Sequence, residues 1–97
     1  MLISAEDECR SILTILLLKN KIFERHIAKS NTTEKRIKSI GNLVKFTQAA
    51  INRINAIYIY LPPSELRDKI PLTLPILQMN VNIMSDNLRR FGDENSF

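Results

Sequence analysis

The sequence predicts an all-α fold, an up-down-up three-helix bundle in which a long antiparallel helical hairpin is followed by a proline-kinked third helix. Three observations support this prediction. Apolar residues recur at alternating steps of three and four along three long segments, which is the spacing of one helix face. Two glycines and four prolines among 97 residues leave room for few turns. The breaks between segments fall at residues 30–33 and 62–63, where capping residues and prolines stand, so we expect a single domain over residues 1–97.

The first helix is predicted over residues 5–29. Ser4 has the side chain of an N-cap, and Glu6 and Asp7 follow it where negative charge favours the helix dipole. Apolar residues at positions 12–18 cover most of the helix circumference, which predicts that the middle of this helix is buried on more than one side. Its core-facing seam consists of Cys9, Leu13, Leu16, Asn20, Phe23 and Ile27.

The second helix is predicted over residues 32–61. Asn31, with Glu34 three residues later, has the form of a capping box. Gly41 costs about 1 kcal/mol relative to alanine inside a helix, and it would allow a neighbouring helix to approach closely. The seam consists of Ile37, Ile40, Val44, Thr47, Ile51, Ile54, Tyr58 and Leu61, with Leu43, Ala50 and Ile57 beside it.

The prolines at positions 62–63 are expected to end the second helix. The residue before a proline is pushed out of the helical region, and a proline has no amide hydrogen to donate. Ser64 can then cap a short helical turn over residues 64–69.

A main third helix is predicted over residues 73–91, after a kink at Pro71 and Pro75. Gly92 supplies a stop signal, and residues 93–97 are expected to be frayed. The core-facing seam consists of Ile70, Leu74, Leu77, Val81, Met84, Leu88 and Phe91.

Composition excludes several classes of function. Cys9 and His26 are the only residues of their kinds, so the sequence offers neither an internal disulfide nor a metal-binding spacing, and we expect no cofactor. The acidic residues near the N-terminus are unlike a signal peptide, and residues 12–18 are too short to span a bilayer. We therefore expect an intracellular protein that does not enter the membrane.

Apolar residues exceed what three seams can bury. One line lies beside the main seam of the third helix, and three further residues project from the second helix away from its seam. These seven predicted interface residues are Leu72, Ile76, Met79, Ile83, Phe46, Ile59 and Tyr60. Contiguous exposed apolar area usually marks a protein interface, so we expect a protein partner or homo-oligomer to complete the bundle.

Basic residues are expected to gather at one pole of the bundle, where the first helix ends and the second begins. Positive charge in the first turn of a helix opposes the helix dipole, so Lys35 and Arg36 are not explained by helix stability. Three interpretations remain open: a solvated basic end, a contact for an acidic protein, or a contact for nucleic-acid phosphate. The residues at this pole are Lys29, Lys35, Arg36, Arg89 and Arg90.

The tail Arg90-Phe91-Gly92-Asp93 is similar to the end of the Rop-type helical hairpins, which bind RNA. This four-residue resemblance keeps a nucleic-acid-binding regulator as the alternative function. The sequence contains no phosphate-binding glycine loop, nucleophile–base set or carboxylate pair in a recognisable context, so we expect neither enzymatic activity nor a small-molecule substrate. The favoured interpretation is a non-enzymatic protein–protein interaction module, either an assembly subunit or an adaptor.

Overall fold

A computed structural model describes residues 4–29 and 32–95, except for the side chains of Ile27 and residues 91–95. Three α-helices account for almost all of this part of the chain: α1 (Ala5–Lys29), α2 (Thr33–Ile57) and α3 (Glu65–Asn95). The predicted all-α class is confirmed, and the described residues form no strand. None of the described helices is both long and apolar enough to cross a membrane.

The central helix is α2, because α1 and α3 each pack against it far more than against each other. Glu8 near the start of α1 contacts Arg53 near the end of α2, so these two helices are antiparallel. Ile37 near the start of α2 lines one groove together with Leu88 near the end of α3, which makes the second pair antiparallel too. The molecule is a rod of 52 × 22 × 21 Å.

The core is concentrated at the end of the rod where α2 passes into α3. Ile51, Ile54 and Cys9 are the largest side chains that are fully buried there. The remaining members of this cluster are Ile57, Leu61, Ile70, Leu74 and Val81. They belong to the predicted seams of α1, α2 and α3, or lie directly beside the α2 seam, so the three-and-four spacing identified the packed face of each helix.

The three N-caps come from hydroxyl side chains. The hydroxyl oxygens of Ser4, Thr32 and Ser64 accept hydrogen bonds from backbone amides three residues later, at 3.1, 3.2 and 3.2 Å. Thr32 therefore caps α2, whereas the predicted cap, Asn31, lies outside the described residues. These bonds satisfy amides that would otherwise have no partner in the first helical turn.

The second helix ends earlier than predicted. A single 3₁₀ turn over Tyr58–Tyr60 follows α2, and Leu61 is extended, with φ of −75° and ψ of 133°. A residue before proline prefers extended backbone, so Pro62 ends the helical conformation by holding Leu61 extended.

The predicted boundary of the third helix at residue 73 is wrong. The helix begins at Glu65 and continues through Pro71 and Pro75 without a break. Both prolines are exposed, so water can reach the backbone carbonyls that lose an amide partner. Ile70 and Leu74, on a neighbouring face of the helix, remain buried and hold this part of α3 against α2.

Two further predictions for the helices are wrong. Gly92 does not stop α3, which continues to Asn95. Residues 93–95 of the expected frayed tail are therefore helical, and residues 96–97 lie outside the described part. A β-carbon added at Gly41 would meet nothing within 4 Å, so this glycine does not mediate a close helix approach.

Candidate functional site

The most exposed apolar line of the molecule runs along α3. Leu72, Ile76, Met79 and Ile83 are between 52% and 71% exposed, and we call these four residues the outer stripe. Their spacing of four, three and four residues places them on one helix face. Ile70, Leu74 and Val81 are buried against α2 on the opposite side. Helix α3 is therefore apolar on two faces, and only one of them is packed.

The other predicted interface residues do not join this stripe. Ile59 and Tyr60 are exposed, but they lie on the 3₁₀ turn between α2 and α3. Phe46 is half-buried in a groove between α1 and α2, beside Ile12 and Ile15. The structure thus groups the four α3 residues and separates Phe46 from them.

A second apolar line lies on α1 and was not predicted as a surface. Ile15, Leu18 and Ile22 are between 44% and 55% exposed and share one helix face. Leu17, on another face, is also exposed. The prediction that residues 12–18 are buried on more than one side is therefore wrong for this chain, because α1 packs mainly against α2 alone. The apolar circumference noted in the sequence was the signal for this surface.

A groove of about 480 Å³ separates α1 from α3 where these helices fail to meet. Leu43 and Thr47 of α2 line it, together with residues from both neighbouring helices. Asn20, a member of the predicted α1 seam, is half-buried and lines this groove, so it lies at the edge of the packed face. The hydroxyl oxygen of Thr47 is buried and has no hydrogen-bond partner within the described part of the protein. The groove continues to Ile83 of the outer stripe.

The predicted basic pole is placed at the end of the rod away from the main core. Lys29, Lys35 and Arg36 are exposed where α1 ends and α2 begins. Of the two predicted α3 residues, Arg89 donates to Asp86 at 2.9 Å, and Arg90 is exposed. Beside Arg36, a groove of about 480 Å³ is lined by apolar residues of α2 and α3. The lining apolar side chains are those of Ile37, Ile40, Met84 and Leu88.

The ionisable groups with a shifted pKa, Glu8, Arg53 and Cys9, lie where α1 packs against α2 and contribute to the fold. The Arg53 guanidinium donates to both carboxylate oxygens of Glu8, at 2.5 and 3.1 Å, and this hydrogen bonding lowers the pKa of Glu8. Burial raises the pKa of the Cys9 thiol, which keeps it in the unreactive protonated form. Within residues 4–29 and 32–95, no three His, Cys, Asp or Glu side chains are grouped so that they could hold a metal ion.

No protein-family model matches the chain, and neither a curated protein nor a solved structure matches it. The surfaces of the chain itself are therefore the basis for a proposal about its function. Among these surfaces, the outer stripe is the longest line of large exposed apolar side chains, with four residues against three in the α1 line, and it is the more exposed of the two.

Proposed function

We propose that this chain is a non-enzymatic protein–protein interaction module, an assembly subunit or adaptor that binds its partner through the outer stripe of α3. The observation that carries the proposal is the exposure of all four stripe residues, from 52% to 71%, on the face opposite the packed seam. Scattered single apolar residues are normal on a protein surface, but a contiguous line is typical of an interface.

The size of the stripe supports a stable contact. Complete burial of one leucine, isoleucine or methionine side chain contributes roughly 1.5–3 kcal/mol. Four such residues in one line therefore offer several kcal/mol, from which the cost of association must be subtracted. The amphipathic spacing suits a partner helix, which would contact the stripe at each turn of α3.

The basic pole supports an acidic character for part of the partner. Lys35 occupies the first turn of α2, where its charge opposes the helix dipole, and Lys29, the last residue of α1, stands four residues before Thr33. A partner that combines an apolar helix with acidic residues would match both surfaces. Charge complementarity of this kind mainly increases the association rate and the selectivity for the partner.

The test compares two double variants in the cell from which the protein comes. Ile76→Glu with Ile83→Glu places two charges on the outer stripe, whereas Leu18→Glu with Ile22→Glu makes the same change on exposed residues of α1. We expect native sizing of the lysate to find the wild-type chain and the α1 variant in a complex larger than one 11.2 kDa chain. The α3 variant should run as a free chain.

Circular dichroism melting of each purified variant supplies the control for folding. All four positions are exposed, so both variants should melt close to the wild type. A wild-type chain that runs free in the lysate would contradict the proposal. So would a complex that survives the α3 changes but is lost with the α1 changes.

A further inference from the structure

The outer stripe is the middle of a longer regular pattern on α3. Extending its spacing of three and four in both directions reaches Glu65 and Lys69 on one side and Asp86 and Arg90 on the other. All four of these flanking residues are exposed. The complete seam therefore covers 26 residues, or roughly 38 Å of helix at 1.5 Å per residue. Only the four central positions are apolar, so they would form the core of a short helix pair, and the charged residues would close it at both ends.

The residues along this seam are complementary to the same residues read in the opposite direction, as they would meet in an antiparallel pair of α3 helices. If two copies of α3 pair antiparallel about the point between Leu77 and Gln78, Ile76 faces Met79 of the second copy. In the next layer outward, Leu72 faces Ile83. The apolar residues of the two chains then meet only each other.

The charged residues follow the same symmetry. In the next layers Lys69 faces Asp86 of the second copy, and Glu65 faces Arg90, so each outer layer joins opposite charges. A parallel pair in register would instead place each of these residues against its own copy, with like charges in contact. Arg89 already donates to Oδ1 of Asp86 within the chain, and the second carboxylate oxygen can accept a bond from lysine.

We propose that the occupant of the outer stripe is a second copy of this chain, paired antiparallel along α3 with Lys69 facing Asp86 and Glu65 facing Arg90. The inference rests on the proposed function, since it names the partner for the same stripe. In this arrangement both apolar faces of α3 are covered, the inner one by α2 and the outer one by its symmetry mate. A two-fold interface is self-complementary by necessity, and this seam meets that condition at four successive layers.

The first test is light scattering of the purified full-length chain at micromolar concentration. We expect a mass twice that of the 11.2 kDa chain. Lys69→Glu places a carboxylate against Asp86 in two symmetric layers and should weaken the dimer roughly ten-fold. Adding Asp86→Lys to the same chain reverses the pair and should restore dissociation to within about three-fold of the wild type. A monomeric wild type, or a double variant as weak as the single one, would overturn the proposal.

Disulfide trapping tests the direction of pairing. In a Cys9→Ser background, a chain with Leu72→Cys is mixed with a chain with Ile83→Cys under mild oxidation. Antiparallel pairing predicts that the mixed disulfide dominates, whereas disulfides between identical chains would show a parallel arrangement and overturn the register. If the purified chain is monomeric but still enters a complex in the lysate through the stripe, the second-copy proposal fails and the proposed function stands.

Discussion

The side-chain amides of Gln48 and Gln78 donate to each other across the contact between α2 and α3. Nε2 of Gln78 lies 2.8 Å from Oε1 of Gln48, and Nε2 of Gln48 lies 3.1 Å from Oε1 of Gln78. Each amide also donates to an asparagine four residues later on its own helix, Asn52 or Asn82. This part-buried arrangement fixes the register of α2 against α3 in the middle of the rod.

We expect the two glutamines to behave as a pair. Gln78→Leu alone leaves the amide of Gln48 without its partner and should lower the free energy of unfolding by about 1 kcal/mol. Gln48→Leu with Gln78→Leu replaces both part-buried polar groups and should restore most of that loss, because Asn52 and Asn82, which lose a donor, are exposed and can bond to water. Urea unfolding of the wild type, both single variants and the double variant gives the four free energies of unfolding that a double-mutant cycle requires. Additive single effects would show that the two side chains act independently.

The ion pair between Glu8 and Arg53 predicts a dependence of stability on pH. The pKa of Glu8 is lowered from its ordinary value of 4.5 by the hydrogen bond from Arg53. Its contribution to stability should be complete above about pH 4.5 and should be lost as the pH falls through the lower folded pKa. We expect Glu8→Gln to melt below the wild type at neutral pH and the two melting curves to converge in acid.

Asp7→Asn is a suitable control, because it removes a neighbouring carboxylate that also lies in the first turn of α1. If the difference in melting temperature between the wild type and Glu8→Gln stays constant as the pH falls, the pairing with Arg53 does not cause that difference.

Gly41 offers a stabilising substitution. A β-carbon at this position would meet nothing within 4 Å, and its φ is not positive. Gly41→Ala should therefore add about 1 kcal/mol to the free energy of unfolding, by restricting the unfolded chain and favouring helix. The measurement is chemical unfolding followed by circular dichroism. No gain, or a loss of stability, would mean that another surface occupies this position in solution.

Thr47 is the one seam position in the second half of α2 that carries a hydroxyl group in the core. Its oxygen is buried without a partner in the part of the chain described. Thr47→Val keeps the shape and removes the unmet polar group, so we expect it to add about 1 kcal/mol to the free energy of unfolding. Thr73→Val is the matched control, because the Thr73 hydroxyl donates to the carbonyl oxygen of Lys69 at 2.9 Å. A gain of equal size at both positions would contradict the role assigned to burial.

The helix seams could be predicted from the sequence because periodicity reports which face of each helix is apolar. The same information could not show how many neighbours a helix has. Residues 12–18 are apolar around most of the circumference, yet Leu17 and Leu18 are exposed because α1 packs mainly against α2. Whether an apolar face is buried or exposed depends on how the helices are arranged, and the spacing of apolar residues does not determine that arrangement.

The prediction that the main third helix begins after the prolines was wrong for a related reason. Local rules predict a kink at Pro71 and Pro75 and a main helix that begins at residue 73, but both rings are exposed, and burial of Ile70 and Leu74 keeps α3 continuous despite the lost hydrogen bonds. The predicted outer stripe, by contrast, needed only the helical spacing of α3, and its four residues are exposed together. The pairing of Gln48 with Gln78 required the register between two helices, which the sequence does not specify.

The last prediction concerns Lys35, which occupies the third position after the N-cap of α2. The hydroxyl oxygen of Thr32 accepts from the Lys35 amide at 3.2 Å, but the lysine side chain cannot accept the reciprocal bond from the Thr32 amide. Lys35→Glu completes a capping box and reverses an unfavourable charge at the positive end of the dipole. We expect it to add about 0.5–1 kcal/mol to the free energy of unfolding, whereas Lys45→Glu in the middle of α2 should change stability little.

The same pair of variants separates the uses of the basic pole. If the positive charge serves a protein partner, Lys35→Glu should be more stable than the wild type and yet bind that partner more weakly. Gel-shift assays at physiological salt with unrelated DNA and RNA should then show no tight binding. Binding that is tight, falls steeply with added salt and is lost in Lys35→Glu but not in Lys45→Glu would instead make this pole a phosphate-binding surface, because counterion release from phosphates produces that salt dependence. The nucleic-acid regulator would then replace the interaction module as the function of this chain.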